Sequence, residues 1–366
     1  MSYEKQRRQS DKVFEGKRIL ITGGTGSLGK TLTKRLLSGR HGTPERVLIF
    51  SRDEAKQHDM RMAYLQRRVA TDEIVYENFS RTLGFIIGDV RDPRSIDDAC
   101  AQVDIVFNAA ALKQVPSCEY FPYEAVRTNI EGAENIVRAL GAARCNVETV
   151  VGISTDKACQ PVNVMGMSKA LQERVFISAN LQRPDVRFVA ARYGNVLASR
   201  GSVVPLFHDQ ILNGGPVTLT TKAMTRFLLS LEQAVDTIVA AVQGGERGEI
   251  YIPQVPAARI SDLASAMIGD RDVDIEEIGI RPGEKLHEAL VSYEEAARTI
   301  ERDGFFVIKP MLNELGGGLV DQPALADELS SDKFLMTFDE TLQLLHDNQL
   351  LIEQVPATDP TLELLR

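Results

Sequence analysis

The sequence predicts an α/β chain whose main body is a doubly wound parallel sheet, followed by a smaller C-terminal substrate lobe. Short, nearly unbroken apolar runs mark strands that are covered on both faces. Amphipathic stretches alternate with those runs, as crossover connections between parallel strands require. A glycine-rich turn, Thr22-Gly-Gly-Thr-Gly-Ser-Leu-Gly29, sits between the first run and the first amphipathic stretch.

In chain order, the runs at 18–22, 46–50, 85–88, 104–108, 149–153 and 187–191 read as strands rich in Val, Ile, Leu and Phe. Leu28, Leu32 and Leu36 recur every fourth position, so they stack on one helix face, and Gly39 supplies the stop. Ala125, Ile130, Ala133, Val137 and Leu140 form a second such face. These elements place the main domain at 14–200. Beyond it the pattern loosens, with Gly214-Gly215-Pro216 and Gly244-Gly245 punctuating shorter elements. A lobe is expected from 201–230 and 250–310, with a helix at 231–243 returning to the main sheet. After Gly316-Gly317-Gly318, an acidic, Leu-rich extension at 320–366 reads as helical or partly disordered, with no role assigned.

A 366-residue chain with 43% hydrophobic residues can bury a large core. Its net charge of −9 argues against a general nucleic-acid binder. Cys100, Cys118, Cys145 and Cys159 form no CxxC pair and read as reduced, packed thiols. His41, His58, His208, His287 and His346 show no ligand spacing, so no metal is expected. Residues 1–12 are polar and lack the apolar core of a secretory signal, and no apolar stretch is long enough to span a bilayer. The expectation is a cytoplasmic protein without a membrane span.

The glycine-rich turn carries the first chemical inference. Between a strand and a helix, Gly23, Gly26 and Gly29 allow a tight turn, close backbone approach to a pyrophosphate and close helix packing. Thr22, Thr25, Ser27 and Leu28 complete this cradle, which makes the main domain a Rossmann-type dinucleotide site. The second strand ends at Ser51-Arg52-Asp53, with Lys56 one turn later. A hydroxyl followed by a guanidinium suits a ribose 2′-phosphate, so NADP is expected, while Asp53 keeps NAD open. Asp89 after the third run would accept from the adenine amino group, with Val90 against the ring, or would form an Asx turn. Ala109, Ala110 and Ala111 after the fourth run would let the cofactor lie close to backbone.

Together with these features, Ala109-Ala-Ala-Leu-Lys113-Gln-Val-Pro116, Ser154-Thr-Asp-Lys157, Arg192-Tyr-Gly-Asn195, Ser199-Arg-Gly-Ser-Val-Val-Pro205, Met224-Thr-Arg226-Phe and Arg281-Pro-Gly-Glu-Lys285 recur in order. The series resembles the extended short-chain dehydrogenase/reductases, and within them the C5-inverting UDP-N-acetylglucosamine 4,6-dehydratases of polysaccharide biosynthesis. The resemblance spans about residues 14–310. It implies a tightly bound NADP, a UDP-N-acetylhexosamine substrate, a 4-keto-6-deoxy product and a homo-oligomer.

By that resemblance, Lys157 takes the C5 proton and Asp156 protonates the departing C6 oxygen. Lys169 holds the nicotinamide ribose. Such enzymes usually carry a Tyr four residues before that Lys, but here the position is Met165, as in a subset of inverting dehydratases. A thioether transfers no proton, so the C4 hydroxyl proton falls to Asp156 or Thr155. Thr155 could equally cap the following turn. Lys113, Asn195, Arg200, Arg226 and Arg281 are expected around the sugar diphosphate, and Glu284 at the uridine ribose. Two other functions compete: a UDP-sugar 4-epimerase, and a non-catalytic dinucleotide sensor suggested by the missing Tyr.

Overall fold

A computed structural model of the chain describes residues 12–65, 81–141, 145–197, 199 and 201–354. The strands β1 (Arg18–Thr22), β2 (Arg46–Ser51), β3 (Leu83–Ile87), β4 (Ile105–Asn108), β5 (Thr149–Ile153) and β6 (Arg187–Ala191) lie parallel in the order β3-β2-β1-β4-β5-β6. Side chains alternate across the pleat, so each apolar strand feeds two cores. Ile19, Ile21, Ile49, Phe107 and Val151 pack with Leu32 and Leu36 of the helix Ser27–Leu37 and with Val235 and Ile238 of the helix Leu231–Gly244. On the opposite face, Leu20, Phe50, Val106 and Val150 pack with Ile96, Ile136, Val137 and Phe176. This sandwich is the doubly wound architecture that the sequence predicts.

Short strands follow: β7 (Asn195–Val196), β8 (Val217–Leu219), β9 (Thr225–Leu229), β10 (Ile250–Pro253), β11 (Ala257–Arg259), β12 (Ile275–Glu277), β13 (Ala289–Val291), β14 (Thr299–Arg302), β15 (Phe305–Ile308) and β16 (Leu329–Ser330). The division expected after residue 200 needs correction here. β10 pairs in parallel with β6, and β15 and β14 add to it antiparallel, so these three extend the main sheet to nine strands. The lobe is built instead from β7-β9-β11, β8-β12 and β13-β16 with the helices Val203–Leu212 and Ile260–Ile268. The helix Leu231–Gly244 packs on the main sheet and is opened by a Ser230–Gln233 capping box.

The C-terminal extension is structured as far as residue 354. β16 pairs with β13, and the helix Phe338–Asp347 starts at a Thr337–Glu340 capping box. Met336, Leu345 and Leu350 are buried in the lobe core beside Phe207 and Leu263. The lobe therefore completes its hydrophobic core with residues that the sequence alone left unassigned; 355–366 fall outside the described residues.

Arg192, just past β6, bolts the lobe to the sheet. It is 1% exposed and bonds bidentately to Glu173 (3.0 and 2.7 Å) and to Glu295 (2.7 and 2.9 Å), and its Nη1 also donates to Leu290 O at 2.9 Å. Among the described residues, no helix is long and apolar enough to cross a membrane.

Candidate active site

β1 and β4 are neighbours whose following connections run to opposite faces of the sheet, which opens a crevice at their carboxyl ends. Gly23 turns the chain there with φ +65°, and a Cβ on it would come within 2.8 Å of the Ala110 backbone. The helix Ser27–Leu37 begins at Gly26 with no side-chain cap, so its first N–H groups are available to an anion.

A cavity of about 540 Å³ occupies this crevice. Gly23, Thr25, Ser51, Arg52, Lys56, Asp89, Val90, Ala110 and Ala111 line it, as do Asp53 and Thr128. Other residues expected at the cofactor stand behind that wall. Thr22 is fully buried, and its hydroxyl donates to Asn108 Oδ1 at 2.7 Å and accepts from Ala110 N at 3.3 Å, so it braces the loop. Leu28 and Ala109 pack against the core, and Gly26, Ser27 and Gly29 form the helix start.

The far end of this cavity is held by charge. Ser51 Oγ lies 3.0 Å from Thr25 Oγ1 and accepts from Asp53 N at 3.2 Å. Lys56 donates to Asp53 through both its backbone N–H (3.0 Å) and its ammonium (2.5 Å), and these bonds hold the Asp53 carboxyl below its usual range. Arg52 is half exposed, 3.7 Å from Asp89. Asp89 is gripped by Arg91 at 2.6–3.0 Å; burial works against its charge, but Arg91 and Arg52 outweigh burial and keep it ionised.

β5 ends at Ile153, and a 3₁₀ turn over Asp156–Ala158 follows, capped by Thr155. The Thr155 hydroxyl also donates to Asp156 Oδ1 at 2.7 Å, and the Lys157 ammonium donates to the same oxygen at 3.1 Å. Asp156 Oδ2 is buried without a hydrogen-bond partner. Burial pushes the Asp156 carboxyl up, but Lys157 and the Thr155 hydroxyl bring it below the ordinary carboxylate value. Burial likewise lowers Lys157, yet Asp156 and Glu288, whose Oε1 is 3.3 Å away, raise it overall. At rest Lys157 is an ammonium.

The helix Val164–Gln182 locks this turn in place. Its N-cap Asn163 accepts from Gly166 N at 2.8 Å and donates to Gly283 O at 2.7 Å, which ties the turn to the Arg281 loop. A Cβ on Gly166 would lie 2.2 Å from the Lys157 carbonyl oxygen, so only glycine fits that contact. Met165 is 5% exposed and packs against Cys118 and Ala125, away from both cavities. One turn later Lys169 is buried, donates to Ile153 O at 2.5 Å and to Gln172, and is pushed down by burial to about 8.

A second cavity of about 920 Å³ lies between the sheet edge and the lobe. Lys157, Asn195, Arg226, Arg281 and Glu284 all reach it, so the structure gathers residues that are scattered along the sequence. Asn195 Oδ1 is buried without a hydrogen-bond partner. Arg226 donates to the backbone oxygens of Thr225, Lys285 and Leu286 at 2.7–3.1 Å, so much of its donor capacity shapes the loop. Thr220 donates to Glu284 at 3.4 Å. Lys113 is exposed on the loop after β4 and lines neither cavity; a π-helical turn, Val126–Glu131, pins that loop through Asn129, which bonds both ways to Leu112. Arg200 lies outside the described residues. Sequence reasoning passed over Asn163 and Glu288. An Asn before a helical run is a readable cap signal, whereas nothing local marks Glu288.

Residues 19–310 match the family described as polysaccharide biosynthesis protein. A curated relative named UDP-glucose 4-epimerase, from Rickettsia conorii, is 45% identical over 301 residues, covering 81% of this chain and 84% of that protein. The X-ray structure of Pen from Bacillus thuringiensis superposes with a TM-score of 0.81 at 33% identity, covering 92% of this chain and 99% of that one. DesIV from Streptomyces venezuelae, a dTDP-glucose 4,6-dehydratase solved with NAD bound, shares the fold with a TM-score of 0.61 at 20% identity, covering 74% of this chain and 86% of that one. With most of its length matched, the chain belongs to the polysaccharide biosynthesis protein family.

Proposed function

We propose that the chain is an NADP(H)-dependent 4,6-dehydratase that acts on UDP-N-acetylglucosamine, inverts C5 and serves surface polysaccharide or glycan synthesis. The observation that carries this reading is the line Thr155–Asp156–Lys157, hydrogen-bonded in series where the large cavity meets the sheet. An elimination needs several proton transfers, and this turn offers the groups for them.

A bound dinucleotide would supply the hydride acceptor for sugar C4 and the hydride donor for C6, and the crevice residues around Gly23, Arg52 and Ala110 would hold it. The C4 hydroxyl proton passes through the Thr155 hydroxyl to the Asp156 carboxylate, which is ionised at rest and so able to receive it. Asp156 then gives that proton to the C6 oxygen, which leaves as water. Lys157, after releasing its resting proton to solvent through the cavity, takes the C5 proton and returns to the ammonium form, while C5 gains a proton from solvent on the opposite face. Protonation of Asp156 removes one of the two anions that hold Lys157 as an ammonium, which favours this second transfer. No proton is left for a tyrosine to carry, consistent with Met165 being packed away.

The crevice suits the cofactor. Backbone at Gly23 approaches Ala110 where a side chain would block it, and Arg52 is positioned for a 2′-phosphate while Asp53 is occupied by Lys56. The Arg52 guanidinium and the engaged Asp53 favour NADP over NAD. Lys169 would bond the nicotinamide ribose. Arg226, Arg281 and Asn195 would hold the sugar diphosphate, with Glu284 at the uridine ribose.

The name of the Rickettsia relative favours a second reading, a UDP-sugar 4-epimerase. An epimerase returns hydride to C4 and has no step for Lys157. Incubation of the purified protein with UDP-N-acetylglucosamine separates the two. Loss of one water by mass spectrometry supports the dehydratase, whereas an isobaric product supports the epimerase. Cofactor retention with no turnover would leave a dinucleotide sensor.

A further inference from the structure

Glu288 has no task in the proton transfers above, although it lines the same cavity as Lys157. It is 2% exposed. Its Oε1 stands 3.3 Å from Lys157 Nζ, while its Oε2 lies 3.2 Å from Lys285 Nζ and makes no hydrogen bond. The backbone around it is clamped. Glu288 N–H donates to Ser331 Oγ at 3.0 Å, Ser331 N–H donates to Glu288 O at 2.8 Å, and the Ser331 hydroxyl lies 2.6 Å from Thr225 Oγ1. Glu288 immediately precedes β13, which is paired to β16 from the C-terminal extension. Two strands therefore aim this carboxylate, and burying a charge in this way is costly unless the charge is paired.

We infer that Glu288 is a positioning residue for Lys157: it holds the ammonium together with Asp156 and sets the pH above which Lys157 becomes a base. The groups that face Lys157 are Asp156 from its own turn, Glu288 from the lobe and Arg226 from β9. Asp156 and Glu288 raise its proton affinity, and Arg226 lowers it. Lys285 acts one step removed. Its ammonium donates to Cys159 O at 2.7 Å and shares Glu288, so it weakens the hold of Glu288 on Lys157. The meaning of this pH for turnover rests on the dehydratase reading; the interaction itself does not.

Two variants move Lys157 in opposite directions. Glu288→Gln keeps shape but loses charge, so the Lys157 midpoint falls by about one to three pH units. Lys285→Met leaves Glu288 wholly to Lys157, so the midpoint rises. Lys157 keeps 21% side-chain exposure through the cavity, and competitive labelling with acetic anhydride across pH, read by peptide mass spectrometry, reports its midpoint without any need for activity. The second readout is solvent-deuterium incorporation at C5 of UDP-N-acetylglucosamine, with Lys157→Ala as blank. Its acid limb shifts to lower pH in Glu288→Gln by the same amount as the labelling midpoint, KM changes by less than about threefold, and Glu288→Asp restores the wild-type limb. A midpoint within about 0.3 unit of wild type in both variants overturns the inference, as does a KM rise with the limb unmoved. Wild-type protein that exchanges no deuterium at C5 overturns the dehydratase reading, and the labelling midpoints still decide the role of Glu288.

Discussion

Replacing Arg192 with Met would test the join between sheet and lobe. The substitution keeps an unbranched apolar stem but strands Glu173 and Glu295, which are 3% and 6% exposed, without their shared cation. Breaking a buried ion pair from one side costs about 3–5 kcal/mol. The structure supplies an independent measure. Burial alone would raise the Glu295 carboxyl, but Arg192 brings it down from near 4.5 to about 2. At about 1.4 kcal/mol per unit, that shift is worth roughly 3 kcal/mol. Because the folded-state value is depressed, this stability is fully present above about pH 4.5 and is lost as pH falls toward 2. In the variant Glu295 is buried without that cation, so its carboxyl takes up a proton at higher pH and the penalty shrinks on acidification. The chain has no Trp, so urea unfolding is best followed by far-ultraviolet circular dichroism. The expected loss is about 3–5 kcal/mol near pH 7.5 and at least about 1 kcal/mol less near pH 5. A loss below about 1 kcal/mol, or an equal loss at both pH values, would refute this account of the network.

Further perturbations address the site and its support. Gly166→Ala places a methyl 2.2 Å from the Lys157 carbonyl oxygen, so turn or helix must shift; a cost of about 1–3 kcal/mol in thermal unfolding and a kcat loss that exceeds any KM change are expected, and wild-type kcat would show that the turn has slack. Arg52→Ala should weaken NADP about 10- to 100-fold while sparing NAD, measured by calorimetric titration, because a charge-assisted bond to phosphate contributes about 1.5–3 kcal/mol; an unchanged preference removes Arg52 from that role. Ending the chain at residue 318 deletes Leu329, Met336, Leu345 and Leu350 from buried positions. At about 1.5–3 kcal/mol for each large side chain, the shortened protein should lose cooperative unfolding of the lobe, and a wild-type transition would show the extension to be an ornament.

The strands of the main sheet were legible because their code is local. Runs at 18–22, 149–153 and 187–191 coincide with β1, β5 and β6, since strands covered on both faces must be apolar throughout. The glycine turn was legible for a similar reason: positive φ at Gly23 and close backbone approach exclude other residues. β10, β14 and β15 were less so. Short runs such as Ile250–Pro253 carry no mark of which sheet they will join, and pairing across long sequence separations decided it. The same limit hid the extension, whose Leu residues find their core only through the lobe helices.

By itself, then, the sequence determined the sheet, the glycine-lined crevice and the local turn Thr155-Asp156-Lys157, because each depends on residues adjacent in the chain. Tertiary structure alone decided what surrounds that turn. It showed Met165 packed aside, Arg226 shared with backbone carbonyls, and Lys157 held between Asp156 and a Glu288 that strand pairing delivers from far along the chain. The physical reason is that proton affinity depends on charges within a few ångströms in space, and sequence distance places no limit on which residues supply them.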